Sequence, residues 1–361
     1  MINVTRTYLP PFEEFCEEIR GLWESRIVTN IGPRHEEFRE ALQAFLEAPQ
    51  VSLFSSGHLA LESILRCMNF PAGGEVITTP FTFVSTVNAV IRCGLEPVFA
   101  DVNPSDGTLD PESVRALIGP RTVAILPVHV YGNVCDAESF ADMAASHGLR
   151  LIYDAAHAFG VKYEGRSALT LGDASIVSFH ATKVFSTVEG GAVVLPRRDD
   201  ALFQLLDDEK NFGIRGYESC VSAGGNAKMN ELQAAMGICN LRHFDEVLAM
   251  RKAVYERYME LLPGGVRVLA PMEGAGCNYS YMPVLLDNRD RVYDKLLEEG
   301  VRARKYFYPL ASEFDFCRKY NGTSSTPVAK DLSSHVLCLP LYPGLTENEQ
   351  DKIIFCISEN I

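Results

Sequence analysis

From Val51 onward, short apolar runs alternate with amphipathic segments. Val51 to Phe54 precedes a helical pattern from His58 to Cys67, Glu75 to Thr79 precedes Ser85 to Cys93, Pro97 to Val102 precedes Pro111 to Ile118, and Val123 to Val130 precedes Ala137 to His147. Leu151 to Asp154, Ala174 to Phe179 and Ala192 to Leu195 add three further apolar, β-branched runs. Strand-length runs that are apolar throughout, each followed by a helix-period segment, predict βα units on a mainly parallel sheet with helices on both faces. Ligands of such sheets lie beyond the carboxyl ends of the strands, so the residues after each run are the ones to inspect for chemistry.

The ends of the chain follow other patterns. Helical segments Phe12 to Arg20 and Arg34 to Leu46, separated by the turn Thr29-Asn30-Ile31-Gly32-Pro33, form a helical lead-in. A helical run from Asn230 through Leu262 stops at Pro263-Gly264-Gly265, after which a smaller α+β region reaches Ile361. The expected division is a large domain over 1–240 and a small one over 241–361.

Composition narrows the class. With 361 residues, 47% of them hydrophobic and 22% charged, the chain is that of a globular protein with a sizeable core. A net charge of −14 argues against nucleic acid or an anionic membrane as partner, and a bound anion has to be met by local groups. No signal-like stretch opens the chain and no long apolar run occurs in it, which places it in the cytoplasm. The ten cysteines are scattered, with no C-x-x-C pair and no His/Cys cluster at metal spacing, so neither disulfides nor a structural metal is expected.

The strand ends carry the chemistry. Lys183 lies in Ser178-Phe179-His180-Ala181-Thr182-Lys183 and is followed by Glu189-Gly190-Gly191, on the connection between two strands. It reads as an imine-forming amine or as a solvated surface lysine. Ser55-Ser56-Gly57-His58 opens a helix, where free backbone N–H groups and the dipole suit a phosphate; an ordinary N-cap has the same look. Asp154 ends an apolar strand, where its carboxylate needs a cation: a protonated pyridine nitrogen or a structural arginine, unless it caps the next turn. Phe83, in Thr79-Pro80-Phe81-Thr82-Phe83, is preferred over Phe81 as a face for a flat ring, with a core role open for both. A pyridoxal phosphate enzyme needs this set: a lysine, a carboxylate for the ring nitrogen, hydroxyls and amides for the phosphate, and an aromatic face.

With these residues in view the chain resembles the DegT/StrS nucleotide-sugar aminotransferases, a branch of the fold type I pyridoxal phosphate enzymes, over nearly its whole length. The likeness is carried by Thr29-Asn30-x-Gly32-Pro33, Ser56-Gly57, Pro80-Phe81-Thr82-Phe83, Asp154-Ala155-Ala156-His157, Ser178-Phe179-His180-x-Thr182-Lys183, Gly225-Asn226-x-Lys228-Met229 and Leu339-Pro340-Leu341-Tyr342-Pro343. It implies Lys183 as Schiff-base residue and acid/base, Asp154 as pyridinium partner, His157 at the ring hydroxyl, and Ser178, Ser56, Gly57 and His58 at the phosphate. Asn226 would reach the phosphate of a neighbouring subunit, which implies a homodimer with shared active sites. His58 departs from the family's usual threonine and His157 from the glutamine of many members. A dehydratase branch carries histidine in place of the lysine, so Lys183 argues against that activity.

The resemblance further implies a ping-pong transfer from L-glutamate to a nucleotide-linked keto-sugar. The best fit is C4 of dTDP-4-keto-6-deoxyglucose in O-antigen or lipopolysaccharide biosynthesis, with a 3-keto-6-deoxyhexose as the alternative. Candidate substrate contacts are Arg26, Thr29, His180, Glu189, Lys305 and Tyr308, with Arg302 and Arg304 beside the last two, although this basic run also reads as a solvated strand edge. A cysteine desulfurase would want a loop cysteine by the cofactor, and no cysteine here has that context. A non-catalytic, cofactor-binding regulator is the remaining rival.

Overall fold

The computed structural model describes residues 1–269, 271, 274–320 and 325–361. Its centre is a seven-stranded sheet ordered Gln50–Phe54, Gly191–Leu195, Ala174–Ser178, Arg150–Asp154, Thr122–Leu126, Glu75–Thr78, Glu96–Phe99. The last five in this order pair in parallel, and Gly191–Leu195 runs antiparallel to both its neighbours. That reversal follows from sequence distance: the connection from Ser178 back to Gly191 is too short to carry a crossover helix, so the chain must return alongside.

Successive strand residues point to opposite faces, and both faces are covered. Val51, Leu53, Ile77, Ile125, Leu151, Tyr153 and Val177 join one core with Phe38 and Leu42 of helix Pro33–Leu46 and Phe140 of Ala137–His147. Val76, Ala124, Leu126, Ile152, Ile176 and Val193 join the other with Leu61, Ile64 and Leu65 of Gly57–Cys67 and Val90 of Val84–Arg92. Burial on both sides is why these runs read as continuously apolar rather than alternating.

The second region holds a three-stranded antiparallel sheet, Arg267–Val268, Met282–Leu285 and Val336–Leu339. It packs with helices Phe244–Leu261, Arg289–Glu298 and Glu347–Ser358. Helix Phe244–Leu261 bridges the regions, giving Phe244 to the first core and Val254 and Tyr258 to the second. The chain start also ties in, since Ile2–Asn3 pairs in parallel with Val301–Arg302. All ten cysteines are free. Among the described residues no helix is long and apolar enough to cross a membrane, and no group of three or more His, Cys, Asp or Glu is placed to hold a metal ion.

Candidate active site

The loop that carries Lys183 is pinned at both ends by packing. Phe179, Val184 and Phe185 are buried, and Phe185 packs against Phe159 and Phe179 with ring centroids 4.3 and 5.3 Å apart. The backbone closes on itself: Lys183 N–H donates to the carbonyl of His180 (2.9 Å), Thr187 N–H to that of Phe179 (2.9 Å), and Phe179 N–H to that of Gly190 (2.9 Å). The two glycines are sterically required. A Cβ at Gly190 would lie 2.1 Å from Thr187 Oγ1, and one at Gly191 would lie 2.4 Å from the backbone nitrogen of Gly57. Only a bare backbone lets the returning strand touch the start of helix Gly57–Cys67, and that contact brings the lysine loop to the helix N-terminus.

Both open onto a cavity of about 430 Å³. Asp154 closes its base, buried, accepting from Thr86 Oγ1 (2.7 Å) and Ala156 N–H (3.1 Å). Burial pushes its carboxyl pKa up, while those two donors and the charges of Lys183 and His58 pull it back. The Lys183 side chain reaches into the same cavity. Its ammonium makes no hydrogen bond or ion pair among the described residues, and burial lowers its pKa to about 8 against the opposing pull of Asp154.

His157 lines the wall. Its Nδ1 accepts from the backbone N–H of Tyr131 (3.0 Å), and burial holds its pKa well below the usual imidazole value. A neutral ring that accepts at Nδ1 carries its proton on Nε2, which faces Tyr281 Oη at 3.3 Å. The backbone of His157 is anchored as well, its carbonyl accepting from Asn278 Nδ2 (2.7 Å) and Ser280 Oγ (3.1 Å).

At the opposite end Ser56 caps the helix, its Oγ accepting from Leu59 N–H (3.2 Å). The N–H groups of Gly57 and His58 have no acceptor among the described residues. Ser178 abuts this turn, for a Cβ at Gly57 would meet Ser178 Cβ at 2.8 Å. The His58 ring behaves differently from the expectation of a direct bond to phosphate: both its nitrogens already have protein partners, Ser85 and Glu62. Phe83 lines the cavity mouth and is 56% exposed, whereas Phe81 is fully buried in the core, which separates two residues that the sequence left side by side. His180 and Glu189 line the rim, with His180 Nε2 3.6 Å from Glu189 Oε1.

Other expected contacts lie outside this cavity. Lys305 and Tyr308 line a second cavity of about 340 Å³ that shares Thr82, Phe83, Arg304, Tyr306 and Phe307 with the first, so the two are contiguous. Lys305 is paired with Asp290 and sits over the Tyr293 ring, and Tyr308 stacks on the buried Arg289 guanidinium. Arg304, at the junction, has no carboxylate partner among the described residues. Arg302 is exposed on the strand paired with Ile2–Asn3. Arg26 and Thr29 are exposed and line neither cavity, and Asn226 accepts a bond from its neighbour Lys228 (2.9 Å) away from both. The sequence reading missed Ser85, Thr86 and Tyr281. Only Thr86 carried a local signal: it lies one helical turn after Thr82, to which its hydroxyl is bonded (2.9 Å).

The donor set fits pyridoxal 5'-phosphate: an unpartnered amine facing a buried carboxylate, free amides at a helix start, and an exposed aromatic face. The model of the DegT/DnrJ/EryC1/StrS aminotransferase family matches residues 12–358. The chain belongs to that family. As a member it is a transaminase of fold type I whose cofactor is pyridoxal 5'-phosphate. It is 38% identical over 365 residues to the dTDP-4-amino-4,6-dideoxy-D-glucose transaminase of Shigella dysenteriae, covering 99% of this chain and 98% of that one. The Escherichia coli protein of the same name is 37% identical, with 98% and 96% covered. Among solved structures, DesI in the presence of its TDP-sugar product superposes with a TM-score of 0.92 at 33% identity, over 99% of this chain and 93% of that one.

Proposed function

We propose that this aminotransferase moves the amino group of L-glutamate to C4 of dTDP-4-keto-6-deoxyglucose, forming dTDP-4-amino-4,6-dideoxyglucose. The observation that carries this reading is the likeness, end to end, to two transaminases named for that compound. When bound, pyridoxal phosphate supplies an electrophilic carbon and a protonated ring that withdraws electrons. Asp154, held in place by Thr86 and Ala156, would offer the buried negative charge that keeps such a ring nitrogen protonated. Lys183 would anchor the cofactor and, as a free amine, would be the base placed to take the proton from the donor's α-carbon within the same cavity. Its lowered pKa, about 8, leaves a usable share as free base where a solvated lysine is almost wholly charged. The Nε2–H of His157, which lies 3.3 Å from Tyr281 Oη, would be the donor available to the ring hydroxyl. Donor and sugar enter one cavity in turn, which is the ping-pong order, and the adjoining cavity with Arg304 and its aromatic walls suits the diphosphate and nucleotide.

A homodimer is part of this reading. Asn226 lies away from its own cavity, and Phe212, Ile214, Tyr217 and Val221, around the nearby hairpin Ile214–Arg215/Ser219–Cys220, expose apolar surface that a second copy would cover. The cytoplasm supplies both substrates, and a dTDP-linked amino-sugar is a precursor of O-antigen glycans.

The test is spectroscopic. Addition of L-glutamate to the holoenzyme is expected to convert the lysine-bound cofactor band to the pyridoxamine band, and dTDP-4-keto-6-deoxyglucose is expected to restore it with release of the 4-amino sugar. Faster restoration by the 3-keto isomer would move the site of amination, and a band indifferent to every amino donor would overturn the reading.

The Lys183 pKa has a second consequence. Only the free base adds to a carbonyl, so cofactor capture by the apoenzyme is expected to quicken as pH rises and to level off above about 8. Asp154 is the charge that holds this pKa up, so Asp154→Asn is expected to move the midpoint toward acid, measured by stopped-flow absorbance across pH.

A further inference from the structure

His58, Glu62 and Ser85 form a connected arrangement at the phosphate end of the cavity. Glu62, one turn along helix Gly57–Cys67, is buried, and its Oε1 lies 2.8 Å from His58 Nε2. A carboxylate only accepts, so Nε2 carries a proton. The other ring nitrogen, Nδ1, lies 2.8 Å from Ser85 Oγ, at the first turn of helix Val84–Arg92. The same Glu62 Oε1 is paired with Arg92 of helix Val84–Arg92, so the two helices are clamped together through this group. Both His58 and Ser85 line the cavity, and His58 lies on the turn that carries the free amides of Gly57 and His58.

We infer that the Ser85 hydroxyl is a phosphate-binding group of this enzyme and that His58, fixed by Glu62, is the residue that aims it. The inference rests on pyridoxal phosphate being the cofactor. The imidazole cannot turn to the ligand without giving up both its partners, whereas Ser85 has a single partner and a rotatable hydroxyl. With Nε2–H given to Glu62, Nδ1 accepts from the Ser85 hydroxyl and holds its Oγ at the cavity wall, from which the hydroxyl turns to donate to a phosphate oxygen.

The experiment compares ligands with and without the phosphate. Apoenzyme is titrated with pyridoxal 5'-phosphate and with pyridoxal, each read by the absorbance of the Lys183 adduct, for the parent, Ser85→Ala, Ser85→Thr and His58→Gln proteins. Ser85→Ala is expected to raise the Kd for pyridoxal phosphate about tenfold or more while leaving that for pyridoxal unchanged, the loss of one hydrogen bond to a charged group. Ser85→Thr, which keeps a hydroxyl, is expected to retain affinity, and His58→Gln to lose part of the same discrimination. An equal change for both ligands, or none for either, would overturn the inference. Failure of the parent protein to bind pyridoxal phosphate would instead refute the cofactor itself.

Discussion

Lys183→Ala is expected to lower transamination about 10⁴-fold, because it removes both the anchoring amine and the acid/base in one change. The size follows from the surroundings. No other described lysine lines the cavity, and of its other basic groups His157 is committed to Tyr131, Asp154 to Thr86 and Ala156, and His58 to Ser85 and Glu62, while His180 and Glu189 lie at the rim beside one another. Cofactor should still enter, held by the helix N-terminus and Asp154, so the variant separates binding from chemistry. Equilibrium binding of pyridoxamine phosphate, which forms no imine, is expected to persist, while single-turnover conversion with L-glutamate disappears. Turnover within tenfold of the parent would assign the proton transfers to another group.

Glu231→Ala is expected to be the most destabilising single change outside the apolar cores, at about 3 kcal/mol or more. Its carboxylate is fully buried and accepts from three backbone N–H groups at the start of helix Pro33–Leu46: Gly32 (3.0 Å), Arg34 (2.8 Å) and His35 (3.3 Å). Negative charge there also complements the helix dipole. Removing it leaves these donors without their acceptor at a buried to half-buried turn, each costing about 1–3 kcal/mol where it stays unpaired. Glu231→Gln retains an acceptor oxygen and should lose about half as much. Urea unfolding of the apoprotein at unchanged m-value is the measurement, and a midpoint shift worth less than about 1 kcal/mol would refute the capping role. The same contact accounts for Gly32 in Thr29-Asn30-Ile31-Gly32-Pro33, since a Cβ there would lie 2.7 Å from the Glu231 carboxyl.

The alternating sheet core, the strand-end position of Asp154 and the Ser56-Gly57 helix start were legible because each depends on local pattern: periodicity, strand termination, helix capping. Lys183 was legible only in company. Its own stretch reads equally as a surface loop, and the ordered series of motifs around it is what singled it out. Phe83 and Phe81 could not be told apart by spacing, and the direction each ring takes was decided by the helix that starts at Val84. His58 shows the limit of position-by-position carry-over. It lies at the helix start that the sequence singled out, yet Glu62 and Ser85 take up both ring nitrogens.

The sequence by itself therefore determined the layer order, the strand ends and the residue types that pyridoxal phosphate chemistry requires, since these follow from short-range periodicity and from chemistry that few side chains can perform. Tertiary structure alone decided which polar groups are already satisfied and which face the cavity unpartnered. Ser85 lies 27 residues from His58 and Thr86 lies 68 from Asp154. Glu231 lies 199 from Gly32. Partners at such separations leave no periodic trace in the chain, because what joins them is the packing of helices across a sheet.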